Sequence, residues 1–238
     1  MNWEKFKDMF HPSWHRHMQR FIESEDCDKI YAFLKSESLR GKQIAPESHN
    51  VFRCFKETPY DDLKVVFMGL SPYHSKTYDG RIIADGLMMG CSNTGKLQPS
   101  LEQFYGGIER ELYDGLALGA EKPADVSYLA HQGVLMCNAA LTTEIGKAGS
   151  HLQIWEPFMK HLLGDVLAFT GIPVIFFGKE AAKLEKLLAP MSWSFAVSHP
   201  ASASYAFAEW DSEGVFTKVN NLIKGTNDYK INWLTFTE

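Results

Sequence analysis

Four short, almost uniformly apolar runs constrain this fold more than any other feature of the sequence: Lys64 to Leu70, Gly133 to Asn138, Pro173 to Gly178 and Ser194 to His199. A run of that length without polar alternation predicts a strand buried on both faces, and such strands belong to parallel sheets covered by helices. The segments between them supply the helices. Pro99-Ser100 opens one through Leu101, Phe104, Ile108 and Leu112, Asp125 caps one that Gly133 ends, and Trp155 to Leu167 and Lys179 to Leu188 are two more. The first forty residues also read as helices, with Trp3, Phe6, Met9 and Phe10 on one face and Ile30, Phe33 and Leu34 after a charged punctuation at 23–26. The alternation predicts an α/β fold: a three-layer α/β/α sandwich with a short, mainly parallel central sheet. No linker, repeat or low-complexity run divides the chain, so residues 1–238 are expected to form a single domain, with 1–60 a helical preface on the same core.

Composition removes several function classes. At 45% hydrophobic and 22% charged residues the chain is not disordered, and its net charge of −5 gives no overall basic field for nucleic acid, leaving only a local groove. Cys27, Cys54, Cys91 and Cys137 are far apart and form no CxxC pair, so reduced, buried thiols are expected. No 18-residue apolar stretch is present, and the first residues mix acid and base, which predicts a protein that is not secreted and has no membrane partner. Gly90 to Leu97 approaches the phosphate-binding GxxxxGK[ST] pattern, but Leu97 cannot hold magnesium and Pro99 lies where the helix should already run. His11, His15 and His17 have ligand-like spacing without an acid or cysteine cluster, and an exposed amphipathic helix accounts for them.

In parallel sheets the working groups gather at the carboxyl ends of strands. Here those ends read Leu70-Ser71-Pro72-Tyr73-His74, Cys137-Asn138-Ala139, Phe177-Gly178-Lys179 and Ser198-His199-Pro200-Ala201-Ser202. In this order, and joined by the segments 44–55, Thr58-Pro59-Tyr60, Gly86-Leu87, Pro99-Ser100-Leu101, Leu141-Thr142, Gly149-Ser150-His151 and Ile231-Asn232-Trp233, they resemble the uracil-DNA glycosylase superfamily, in particular its first family. The resemblance covers almost the whole chain.

It implies an enzyme, a monomer that flips uracil or a related modified pyrimidine out of DNA and hydrolyses its N-glycosidic bond, in repair or viral DNA metabolism, without cofactor or metal. The implied compartment is the cytoplasm of a bacterial or virus-infected cell, or a nucleus. His199 takes the role of donor to the leaving uracil oxygen, where negative charge develops. Asn138 offers one donor and one acceptor to the O4 and N3–H edge. Leu70 and Tyr73 belong to the base pocket, and Tyr73 crowds the C5 position against thymine's methyl. The resemblance gives phosphate and backbone contacts to Ser100, Ser150, His151, Pro200, Ser202, Ala203 and Ser204.

Three positions depart from the family pattern. Ser71 stands where the family's water-orienting aspartate is expected, and a hydroxyl cannot supply a carboxylate's charge. Asp79 and Asp85 follow in a loop about five residues longer than usual and are candidates to replace it. Met89 stands where an aromatic stacks on the base. Ala203 stands where a bulky wedge fills the vacated stack, with Tyr205 as its substitute. These losses make a second career conceivable, that of a catalytically impaired DNA-binding module serving replication proteins.

Overall fold

The computed structural model describes residues 2–190, 192–224 and 229–236. The four apolar runs become β1 (Val65–Gly69), β2 (Val134–Asn138), β3 (Val174–Phe177) and β4 (Ser194–Val197). They form one parallel sheet in the order β2-β1-β3-β4, with helices packed around it. Successive strands fall on opposite sides of β1, so the chain reverses its direction of travel beside that strand. Ligand crevices open at such a reversal, outside the carboxyl ends. β1 and β2 pair in register from Val65 with Val134 to Gly69 with Asn138, so their carboxyl ends are flush.

The first three strands are buried throughout, as uniform apolar runs demand. β4 differs: Ser194, Phe195 and Ala196 keep partial or full exposure, although β2, at the opposite edge of the sheet, is buried throughout. The expectation of burial on both faces is corrected there: the strand is only partly covered, by groups such as Glu185, which accepts from Ser194 Oγ, and Lys218, which lies over the Phe195 ring.

Among the helices, α1 (His15–Ile22) and α2 (Glu25–Leu39) build the preface, and Ser24 caps α2 by accepting from Cys27 N–H at 3.3 Å. α3 (Arg53–Glu57) precedes β1, and α4 (Pro99–Leu112) opens on its proline as its sequence requires. α5 (Ser127–Ala130) is a short turn held by Asp125, whose carboxylate accepts from Ser127 N–H at 3.0 Å. α6 (Leu152–Met159) starts three residues before the expected Trp155, and the chain continues as a π-helix over Lys160–Val166. α7 (Lys179–Ala182) tightens into a 3-10 turn over Lys183–Leu187, α8 (Pro200–Tyr205) follows β4, and α9 (Val215–Ile223) closes the layer. One hydrophobic cluster joins Trp3, Phe10 and Trp14 of the preface to the sheet and to Trp233 and Leu234 near the end. Among the described residues no helix is long and apolar enough to cross a membrane.

Candidate active site

Three strand ends meet at one cleft of about 610 Å³. β1 delivers Leu70, Ser71, Pro72, Tyr73 and His74, β2 delivers Asn138, and the end of β4 with the start of α8 delivers His199, Ala201, Ser204 and Tyr205. Met88 and Met89, and Gln98 to Ser100 at the start of α4, complete the walls. Gly69 makes the approach of β1 to β2 possible: a Cβ there would lie 2.6 Å from Asn138 Oδ1 and 2.9 Å from Met88 Cγ. Asn138 is itself buried, and its amide is the last group of β2.

His199 is the N-cap of α8. Its Nδ1 accepts the Ala201 N–H at 3.1 Å, which fixes the ring and leaves the proton of the neutral imidazole on Nε2. Burial lowers its pKa to about 4, so the ring is neutral at ordinary pH. The residue before it is fixed as well, because Trp210 Nε1–H donates to Ser198 O at 2.9 Å and to Ser198 Oγ at 3.0 Å. The Tyr73 hydroxyl pairs with Ser100 Oγ at 2.7 Å, and burial pushes its phenol further above the usual range. Ser71 Oγ accepts the Gly149 N–H at 3.0 Å and so ties the rim loop of β1 to the loop before α6.

Several expected site residues lie elsewhere. Asp85 is fully buried behind the cleft, where its carboxylate accepts from Leu87 N–H at 3.1 Å, Ser92 N–H at 2.9 Å and Ser92 Oγ at 2.6 Å. It also pairs with Arg53 at 2.9 Å. Its candidacy as a water-activating group is therefore corrected: its acceptor capacity is spent on the turn that carries Met88 and Met89. That turn needs the help, since Met89 sits at a φ of 62°. Gly90 lets the backbone close over the carboxylate, which a Cβ would strike. Arg53 in turn donates to Asp125 at 2.9 and 3.1 Å; burial works against its charge, but Asp85, Asp125 and Glu57 together raise its pKa.

Asp79 is corrected too. It is exposed on a hairpin bridged by Lys76 and Ile82, where it pairs with Arg81 at 2.8 Å and accepts from the Thr77 hydroxyl, away from the cleft walls. His151 is buried, its Nδ1 hydrogen-bonded to Thr142 Oγ1 at 2.9 Å, so it cannot touch a phosphate. The side chains of Pro200 and Ala203 are buried on the inner side of α8. Ser202 turns its hydroxyl back to His199 O at 2.6 Å, and Ser150 Oγ accepts Glu144 N–H at 2.8 Å; both side chains brace their own loops. Tyr205, by contrast, is 83% exposed at the cleft rim. His74 and Met88, expected in the rim segments 70–74 and 86–90 without a role of their own, line the cleft, and Gln98 joins them unforeseen. His74 was within reach of sequence reasoning, since it directly follows Pro72-Tyr73 at a strand end.

Fold and cleft first define a class, an α/β domain whose parallel strand ends bring an amide and a neutral imidazole into one crevice. No family model matches the chain. Individual relatives do: the uracil-DNA glycosylase of Streptococcus pneumoniae (strain Hungary19A-6) is 33% identical over 230 residues, spanning 95% of this chain and 100% of the relative. That of Lacticaseibacillus casei (strain BL23) is 30% identical over 232 residues, spanning 95% and 96%. The crystal structure of mimivirus uracil-DNA glycosylase superposes with a TM-score of 0.81 at 23% identity, over 97% of this chain and 92% of that one, a likeness of fold. The chain belongs to the uracil-DNA glycosylase family.

Proposed function

We propose that this chain carries out its family's reaction, hydrolysis of the N-glycosidic bond of uracil in DNA, and that it does so with neutral side chains. An extruded uracil occupies the cleft, where the Asn138 amide pairs with O4 and N3–H; cytosine presents the opposite pattern. Tyr73, held by Ser100, stands against C5 and refuses thymine's methyl, while Met89 and Leu70 form apolar walls. The C1′–N1 bond breaks with its electron pair leaving on uracil, a water adds to C1′, and the proton it gives up passes through solvent to the uracil anion. The products are free uracil and an abasic site.

The observation that carries this reading is the state of His199: Nδ1 is engaged by Ala201 and burial keeps the ring neutral, so Nε2–H is a fixed donor for uracil O2 as charge develops there. None of the residues lining the cleft is Asp or Glu. Ser71 and His74 are the polar groups left to hold the water, and the greater share of barrier lowering falls on His199. Exposed basic residues such as Lys96 give local phosphate contacts against a net charge of −5, so binding weakens steeply with salt. The protein acts as a monomer where DNA is held, in cytoplasm or nucleus.

The carboxylate-free cleft also favours a second reading, a binding module that holds DNA or a replication partner without turnover. Free-base release from oligonucleotides carrying uracil, thymine, modified uracils and modified cytosines separates the two. We expect uracil to be released and thymine retained. Tight binding to uracil-containing DNA with no base released from any substrate overturns the hydrolase in favour of the module.

A further inference from the structure

A second hollow, of about 680 Å³, lies away from the cleft, between α2, α3 and the chain around Phe6 and Met9. None of the described residues lines both. Its floor is the buried surface of Ile30, Phe52 and Trp155, while at its open end Leu39 is 80% exposed. α2 lines it with residues 27, 30–31, 34–35 and 38–39. That spacing of three and four is the period of one helix face, continued over three turns, or about 18 Å at 1.5 Å per residue. An amphipathic helix turns such a face to its own core. Here the face begins in the core at Cys27 and Ile30 and runs out into solvent at Leu39, still in register. An apolar surface of this kind, with a polar rim, marks an interaction site.

The rim is cationic. Lys35 on α2 and Lys56 on α3 stand exposed on two of the walls. Among the described residues neither has an acidic partner, whereas Lys7 and Lys29 of the same preface pair with Glu4 at 2.6 Å and Asp26 at 3.0 Å. Asp8 is the one carboxylate on the lining, and His49 lies 3.6 Å from Glu47.

We propose that this hollow is a docking groove for an acidic amphipathic helix of a partner protein. The helix lies along α2, with apolar side chains at i, i+3, i+4 and i+7 in the groove and carboxylates at Lys35 and Lys56. A helix fits because the wall repeats with a helix's period, and an acidic one because two cations are left without partners. A chain with a single anionic head could answer only one of two lysines set on different walls. A helix carries carboxylates on both flanks of its apolar face. Since groove and cleft share no lining residue, the partner can be held whatever the cleft binds.

The probe is a fluorescein-labelled, lactam-bridged helical peptide of about 12 residues, matching three turns of α2, with leucines at i, i+3, i+4 and i+7 and glutamates on its other face. Its anisotropy is titrated with the full chain, beside the same peptide with lysine for glutamate, a scrambled peptide of the same composition, and dodecanoate as a competitor. Saturable binding of the acidic helix alone is expected, weakening as salt rises. Lys35→Glu combined with Lys56→Glu should weaken it about tenfold or more, and Leu39→Ser several-fold, at unchanged Tm because all three side chains are exposed. Should the charge-reversed variant unfold, Lys35→Gln with Lys56→Gln is measured in its place. The groove is overturned by absence of saturable binding, by equal binding of the basic or scrambled peptide, or by an affinity that either the lysine or the Leu39 variant leaves unchanged. Tighter binding of dodecanoate than of the acidic helix overturns it in favour of a small amphiphile.

Discussion

The turn from Asp85 to Ser92 and the segment from His199 to Tyr205 flank the same cleft and use their polar groups in different ways. In the first, the one carboxylate is turned inward, shared among two backbone amides, a hydroxyl and Arg53, and only methionine side chains face the cleft. In the second, backbone and serine groups satisfy one another while an imidazole N–H and the exposed Tyr205 ring are left free to meet a ligand. A charge next to a site in sequence is therefore a poor guide to the charge in the site. What matters is which groups still have an unspent donor or acceptor after the loop has closed on itself.

Three perturbations test that contrast. Asp85→Ala should have the largest effect: it leaves Arg53 with a weakened, half-buried network and strands two amide donors, costing about 3–5 kcal/mol in urea or thermal unfolding. A loss below about 1 kcal/mol would show that the carboxylate does not hold the turn. His199→Ala should instead leave the fold nearly intact and lower the single-turnover rate by on the order of 10²–10³-fold, the value of one fixed donor to a developing oxyanion. A rate within a few-fold of wild type would take the leaving-group role from His199.

The third perturbation is pH. The folded pKa of His199 is lowered by burial to about 4, below the unfolded value near 6.5, so between those values the unfolded chain takes up a proton that the folded chain refuses. Stability present above pH 6.5 is therefore lost as pH falls toward about 4. His151, also lowered by burial, acts in the same direction. Unfolding free energies of His199→Asn across this window should fall less steeply than those of wild type. An identical slope would mean that the ring takes up its proton equally well in the folded state.

The sequence carried the sheet well and the rim unevenly. β1, β2 and β3 were legible because a strand buried on both faces must be apolar at every position, a pattern that survives without knowledge of its neighbours. β4 has a similar run but only partial cover, and how far helices cover a strand is not written in the strand itself. Asn138 and His199 were legible because they end such runs. Asp85 misled because its partner Arg53 lies 32 residues earlier in the chain, and nothing local announces that pairing.

The smallest expected effects are at Ser71, and they sharpen the contrast most directly, because they ask what happens when a carboxylate is moved from behind the cleft into it. Ser71→Ala removes the acceptor for Gly149 N–H and should slow turnover only a few-fold, through loosening of the loop rather than through loss of charge. Ser71→Asp keeps an acceptor within reach of Gly149 and sets a negative charge among the lining residues, none of which now carries one. With Asp79 engaged by Arg81 and Asp85 by Arg53, neither stands in the cleft to repel it. The new carboxylate should therefore stabilise the sugar cation and accept the water's proton, raising the single-turnover rate on uracil DNA above wild type. It should also make His199→Ala less damaging in the double variant than in the single one, since part of the barrier lowering has shifted to the other side of the bond. A rate that falls in Ser71→Asp while folding is unchanged would mean that a negative charge is already at work in the cleft, and the reading of this site as one built from neutral groups would be wrong.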